Sequence, residues 1–273
     1  MKTVQITGGN GFLGRTLVPL FVKNGYQVRI SSRGAPKESL PGVEWSHADL
    51  STGEGLAEAV AGSDVIVHAA SNVQNTQAID VDGTRRLLEH ARQAKVDHIV
   101  YVSIVGIDRI PFGYYQHKLA AENLIKAGGV PWSILRATQF HPFLDLLIQT
   151  AFRLPVVPLP TDFQFQVIDP SEVAQRLMQS VADGPAGQLP DIGGPEILRL
   201  GDMVKTWKAI QQRRRPVVPL WLPGQVANGF RQGYNTTPAG RYGRITWAEW
   251  LQTHYGQSNP LSNQTPNSQV SLS

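Results

Sequence analysis

The chain has 273 residues, 41% of them hydrophobic and 17% charged, with a formal net charge of +4 and no cysteine. These values describe one large α/β domain, or such a domain with a smaller appendage, and they exclude disulfides, thiolate nucleophiles and cysteine-ligated metal centres. No apolar run approaches the roughly 18 residues that a membrane span needs, and the one compact basic run, Arg213-Arg214-Arg215, is too small for a nucleic-acid footprint, so neither a membrane nor a nucleic acid is expected as a partner.

Thr3 to Thr7 is a β-branched run and reads as a strand. With a strand this early there is no charged and apolar leader before it, which makes the cytoplasm the expected location. The strand ends in Gly8-Gly9-Asn10-Gly11-Phe12-Leu13-Gly14, and Arg15 to Lys23 reads as a helix. Gly9, Gly11 and Gly14 have the spacing of a dinucleotide-binding turn, in which missing side chains permit a sharp bend, close backbone approach to a pyrophosphate and tight helix packing. The helix N-terminus then offers free N–H groups to the phosphates.

Tyr26 to Ser31 is the second strand, and its exit, Ser31-Ser32-Arg33, discriminates between cofactors. A carboxylate there would take the ribose 2′-hydroxyl of NAD; a guanidinium flanked by hydroxyls suits a 2′-phosphate instead. NADP(H) is therefore the preferred cofactor, with NAD(H) still admitted. A third strand ends at Asp49, and Thr52 to Ala61 reads as a helix. Asp64 to Ala70 is a nearly continuous apolar run, as in a parallel strand covered on both faces, and its small exit residues Ala69, Ala70 and Ser71 leave room for a flat cofactor. His68, inside that run, reads as a satisfied core histidine. Thr84 to Ala94 has a helical apolar face, and His98 to Ser103 is the fifth strand. Strands alternating with helices over residues 3–103 imply a doubly wound parallel α/β sheet of Rossmann type.

Tyr114 and Lys118 stand four residues apart at the start of a helix that continues through Lys126, so they share a helix face. A phenol is a poor acid–base group at neutral pH, and an ammonium one turn away is expected to favour its ionisation.

The fingerprint Thr7 to Gly14, Asp49-Leu50, the Asp82-Gly83-Thr84-Arg85-Arg86-Leu87-Leu88 helix start and the Tyr114-x-x-x-Lys118 pair together resemble the extended or atypical short-chain dehydrogenase/reductase superfamily, nearest to its NmrA-like, NAD(P)H-binding branch. The resemblance is specific from residue 3 to about 140 and looser to about 250. It implies an NADPH-dependent oxidoreductase that passes hydride to a small carbonyl or conjugated substrate. Tyr114 would be the general acid, and Lys118 would hold the nicotinamide ribose while lowering the tyrosine pKa. Ser103 is the catalytic hydroxyl by position, although the register also allows Ile104 to face the substrate. The cofactor-binding set implied is Gly8, Gly9, Asn10, Gly11, Phe12, Leu13, Gly14, Ser32, Arg33, Asp49, Leu50, Ala69, Ala70, Ser71, Lys118 and Thr138. The alternative is a catalytically weak or inactive NADP(H)-binding regulator or assembly factor that acts through a protein partner. A homodimer is also admitted.

Val130 to Arg136 reads as a sixth strand. Phe140, His141 and Phe143, just after it, could line a substrate pocket or simply pack. Asp169-Pro170-Ser171-Glu172 carries a capping signature for a helix to Val181, and Thr246-Trp247-Ala248-Glu249 repeats it before a last helix near Tyr255. Residues 1–154 are thus expected to form the cofactor domain. Residues 155–256, with four of the six tryptophans (Trp207, Trp221, Trp247, Trp250), are expected to form a small irregular substrate lobe, with sheet contributions interleaved. Gln257 to Ser273 has little to bury and reads as a disordered tail. No metal-spaced cluster is legible.

Overall fold

The computed structural model describes residues 1–35 and 41–256; the tail expectation lies outside the described residues. The first half alternates as the apolar runs dictate. In order come β1 (Thr3–Thr7), α1 (Gly14–Lys23), β2 (Gln27–Ser32), β3 (Val43–His47), α2 (Leu56–Val60), β4 (Val65–His68) and a π-helical turn (Gln77–Asp82). They are followed by α3 (Gly83–Gln93), β5 (His98–Ile104), α4 (Gly113–Ala127) and β6 (Trp132–Ala137). The second half holds α5 (His141–Ala151), β7 (Val157–Leu159), β8 (Gln164–Phe165), α6 (Pro170–Asp183) and β9 (Gly187–Gln188). After these come β10 (Leu198–Arg199), α7 (Leu200–Ile210), β11 (Val217–Pro219), α8 (Gln225–Arg231) and α9 (Trp247–Gly256).

Seven strands form one sheet in the order β3-β2-β1-β4-β5-β6-β9, and every pairing in it is parallel. This is the doubly wound sheet that the alternation predicts. Its two faces are covered by separate apolar layers. Leu17, Val18 and Phe21 of α1 with Val173, Leu177 and Val181 of α6 cover one; Leu56, Leu87, Leu88, Ala121 and Ile125 from α2, α3 and α4 cover the other. Each such buried Val, Leu, Ile or Phe side chain contributes about 1.5–3 kcal/mol. Strand order reverses at β1, flanked by β2 and β4, and in such sheets ligands sit in a crevice beyond the carboxyl ends of the strands at that point.

The helix expected over 52–61 is shortened to α2. Gly53 and Gly55 adopt φ of +92° and +70°, and a Cβ on Gly55 would stand 2.1 Å from the His47 carbonyl oxygen, so a tight turn replaces the first helical turn. Both capping signatures are present in part or in full. Asp169 Oδ1 accepts from the Ser171 amide at 2.8 Å, whereas Glu172 is drawn off to the Arg244 amide. Glu249 Oε2 accepts from the Thr246 amide at 2.9 Å, and Thr246 Oγ1 accepts in return from the Glu249 amide at 3.2 Å.

The lobe is built from α5, α7, α8 and α9 with two small ladders, β7–β11 and β8–β10. Trp207 and Trp247 are its fully buried anchors, and their indole N–H groups donate to Asp145 Oδ1 at 2.7 Å and to the Met203 carbonyl at 3.0 Å. The chain enters the lobe at α5 and returns to the sheet through α6 and β9 before going back. Among the described residues no helix is long and apolar enough to cross a membrane, and no group of three or more His, Asp or Glu is placed to hold a metal ion.

Candidate functional site

The glycine turn sits at the mouth of the crevice. Gly8 has φ +73°, and a Cβ there would stand 2.7 Å from Ala70 Cα; on Gly14 it would stand 2.2 Å from the Gly8 carbonyl oxygen. Gly11 donates to that same oxygen at 2.9 Å and has little else near it. Gly9 instead packs on Ile30, which serves strand contact rather than ligand approach. Among the described residues no acceptor meets the Phe12 and Leu13 amides, and no side chain caps α1. A compact bend held by backbone contacts and leading into uncapped helix amides fits a pyrophosphate. Leu13 is buried, whereas Phe12 is 52% exposed beside the crevice.

Asn10 staples this turn to the end of β2, donating through Nδ2 to Ser32 Oγ and to the Gly34 carbonyl, both at 3.1 Å. The Ser32 hydroxyl is fully engaged, since it donates to Gly34 and also accepts from the Trp45 indole at 3.0 Å. Arg33 is exposed. Burial pushes the Asp49 carboxyl up, but hydrogen bonds from Ser51 and the charges of Arg33 and His47 bring it below its ordinary value. Leu50 lies under Gly83, where a Cβ would approach its side chain to 2.8 Å.

On the other side of the crevice, Thr7 Oγ1 meets His68 Nδ1 at 2.7 Å and accepts from the Ala70 amide at 3.3 Å. Thr84 Oγ1 donates to the Asp80 carbonyl, so at 3.0 Å it accepts from His68 Nε2. These bonds assign the proton of His68 to Nε2, and burial lowers its pKa to about 3. His68 thus pins β1, β4 and α3 together as a neutral core group. Ala69 and Ala70 are half-buried at the strand exit.

Ser71 follows, and its hydroxyl hydrogen-bonds the Tyr114 hydroxyl at 3.0 Å. Lys118 shares the helix with Tyr114, but its ammonium is engaged elsewhere. Its ammonium is buried, donates to the Val102 carbonyl at 2.9 Å, stands 4.1 Å from the Tyr101 ring centroid and faces Asp80 Oδ1 at 3.7 Å. Tyr114 is pushed up to about 12 by burial and by the Asp80 charge, with the Ser71 bond acting against them.

Ser103 makes no hydrogen bond to Tyr114 or Lys118. Its hydroxyl is buried without a hydrogen-bond partner of ordinary geometry and lies by Glu122, the carboxylate that makes a bidentate pair with Arg136, two contacts of 2.8 Å. Ile104 instead packs in the apolar cluster that contains Tyr114 and Tyr115. Thr138 is buried, with its hydroxyl likewise unpartnered. Sequence reasoning missed Asp80 and also a buried polar set in which Gln139 Nε2 donates to the Tyr115 hydroxyl and Asn235 Nδ2 donates to Gln139 Oε1. No local signal marks these, because each is polar by type and buried only through distant contacts.

His141 does not line a pocket. It is fully buried, its ring stacks on Trp247 and Trp250 at centroid distances of 6.0 and 5.6 Å, and neither ring nitrogen has a hydrogen-bond partner. Burial lowers its pKa to about 4, against Asp169 and the Ile168 carbonyl. The unfolded chain therefore binds the proton more readily, and stability falls as pH drops from about 6.5 toward 4. His141→Phe is expected to be more stable than wild type at pH 5 by roughly 2 kcal/mol more than at pH 7. Urea unfolding at both pH values measures this, and an unchanged gap would remove His141 as the acid-sensitive group.

A family model described as NAD(P)H-binding matches residues 8–181. An uncharacterized protein of Mycobacterium tuberculosis is 26% identical over 223 residues, covering 81% of this chain and 24% of that protein, so the chain spans about a quarter of that relative's length. Photosystem II assembly factor Ycf39 of Trieres chinensis is 24% identical over 272 residues, covering 91% of this chain and 82% of that one. Among solved structures, NADPH-dependent quinone oxidoreductase QOR2 of Escherichia coli, complexed with NADPH, has a TM-score of 0.76 at 16% identity, covering 92% of this chain and 99% of that one; this is a likeness of fold.

Proposed function

This chain belongs to the NAD(P)H-binding family, and from that premise we propose that it is an NADPH-dependent oxidoreductase acting on a small carbonyl or conjugated substrate, with Tyr114 as proton donor. The observation that carries this reading is the Tyr114 hydroxyl, held by Ser71 at the exit of β4 and therefore at the crevice the glycine turn opens onto.

In this reading Gly8, Gly11 and Gly14 with the Phe12 and Leu13 amides hold the pyrophosphate, Arg33 binds the 2′-phosphate, and Asp49 and Leu50 border the adenine. Ala69 and Ala70 let the cofactor lie close to β4, while Lys118 and Thr138 flank the nicotinamide ribose. The bound dinucleotide supplies the hydride. Tyr114, kept neutral by burial, donates to the oxygen that gains charge, and Ser71 fixes the direction of its O–H bond. Ile104, half-buried in the cluster with Tyr114, offers the substrate an apolar contact, which suits a conjugated compound.

A second reading, an NADP(H)-binding regulator or assembly factor, is favoured by Ser103, whose buried hydroxyl has no hydrogen-bond partner and so none in Tyr114, and by the likeness to an assembly factor. NADPH oxidation measured across quinones, enones, aldehydes and ketones separates the two. Turnover of at least one class supports the first, whereas tight NADPH binding with no turnover and a co-purifying protein supports the second. Either way Arg33→Ser is expected to weaken NADPH binding about tenfold or more and leave NADH unchanged, because a charge-assisted contact to phosphate contributes about 1.5–3 kcal/mol. Parallel titrations with both cofactors test this, and an equal loss for both would remove Arg33 from the 2′-phosphate site.

A further inference from the structure

The π-helical turn over Gln77–Asp82 places an acid where a helix would ordinarily be solvated. Asp80 is completely buried, and its two oxygens have different neighbours: Oδ2 accepts from the Asn72 amide at 3.4 Å, while Oδ1 has no hydrogen bond and faces the Lys118 ammonium at 3.7 Å. Asn72 follows Ser71, so one short loop touches both Asp80 and the Tyr114 hydroxyl. Lys118 is held from three sides, by Asp80, by the Val102 carbonyl and by the face of Tyr101.

We propose that Asp80 is a positioning residue of this site: it pairs with Lys118 and keeps that ammonium fixed on Val102 and Tyr101, and its own negative charge offsets the ammonium at Tyr114, which remains a neutral phenol able to give a proton. The clause about Tyr114 rests on the proposed function; the hold on Lys118 does not. A lone ammonium at this depth loses its hydration and sheds its proton more readily; burial still leaves Lys118 below its ordinary value, and the opposed Asp80 carboxylate offsets part of that loss. The other groups facing the pair count for less than Asp80. Tyr101 on β5 and Tyr114 and Tyr115 on α4 are neutral phenols, and His68 on β4 is a neutral imidazole. His117 is engaged with Thr76, and Glu122, one turn further along α4, is committed to Arg136.

The test is the titration of Lys118 itself, followed by NMR of carbon-13 lysine-labelled protein, with the signal assigned by its loss in Lys118→Met. Asp80→Asn is expected to lower the Lys118 titration by roughly one unit or more, and Asp80→Glu is expected to restore most of it. An Asp80→Asn protein in which Lys118 titrates as in wild type overturns the proposal. Urea unfolding of Asp80→Asn, Lys118→Met and the double variant gives an independent arm. A double variant that is more stable than the sum of the single losses, or that folds where Asp80→Asn does not, supports the pairing; simple additivity overturns it. Neither arm needs turnover, so an inactive protein would sink the reductase reading and leave this inference standing.

Discussion

Gly14→Ala is expected to abolish the cofactor-induced rise in melting temperature and to weaken NADPH binding at least 100-fold, about 2.7 kcal/mol. The added methyl would lie 2.2 Å from the Gly8 carbonyl oxygen and 2.6 Å from Gly9 Cα, and both are backbone atoms that cannot rotate aside. The turn must therefore open. Opening it separates the Gly8 carbonyl from the Gly11 amide and displaces the Phe12 and Leu13 amides from the place where a pyrophosphate would meet them. Gly25→Ala is the control. Gly25 has φ +79° with nothing within 4 Å of an added Cβ, so that variant carries only the left-handed backbone strain, about 1–2 kcal/mol, and binds NADPH normally. Fluorescence titration of NADPH with both variants decides the matter. If Gly14→Ala binds as wild type does, the pyrophosphate lies elsewhere.

The contrast between those two glycines also shows what a sequence can disclose. The turn at Gly8–Gly14 is legible because its constraint is local: strand, glycines and helix follow one another, and spacing alone reports the bend. The parallel sheet is legible for the same reason, since each strand is a short apolar run with a helix after it. The Tyr114 and Lys118 register was readable, but the partner of Lys118 was not. Asp80 comes 38 residues earlier, in a helical stretch where a carboxylate normally meets water, and only the π-helical turn carries it inward. The same limit hid Gln139 and Asn235, which are 96 residues apart. In the lobe, ladders of two or three residues such as β8–β10 and β7–β11 are too short to leave a periodicity. Tryptophan content marked that lobe as a packed unit without saying that His141 is stacked among its rings.

Tyr114→Phe is expected to lower the rate of NADPH oxidation by about 10²–10³-fold while leaving NADPH affinity unchanged, since the substitution removes one hydroxyl from the reacting end of the crevice and none from the glycine turn. Size and direction both follow from how the hydroxyl is held. Burial and Asp80 push the phenol up to about 12, so at neutral pH it is fully protonated and serves as a donor. Its working form is lost only as pH rises through that value, and the wild-type rate should therefore show no alkaline decline from Tyr114 between about pH 7 and 10. An acidified tyrosine, the arrangement that helical spacing alone suggests, would place a decline inside that window. Ser71→Ala gives the intermediate case: the phenol stays, but the 3.0 Å bond that orients it is gone, and a loss of about tenfold is expected. The pH profiles of the three proteins distinguish the possibilities. Equal rates for wild type and Tyr114→Phe would take the proton from another source, and an alkaline limb below pH 10 that disappears in Tyr114→Phe would show that Lys118 acidifies the phenol after all.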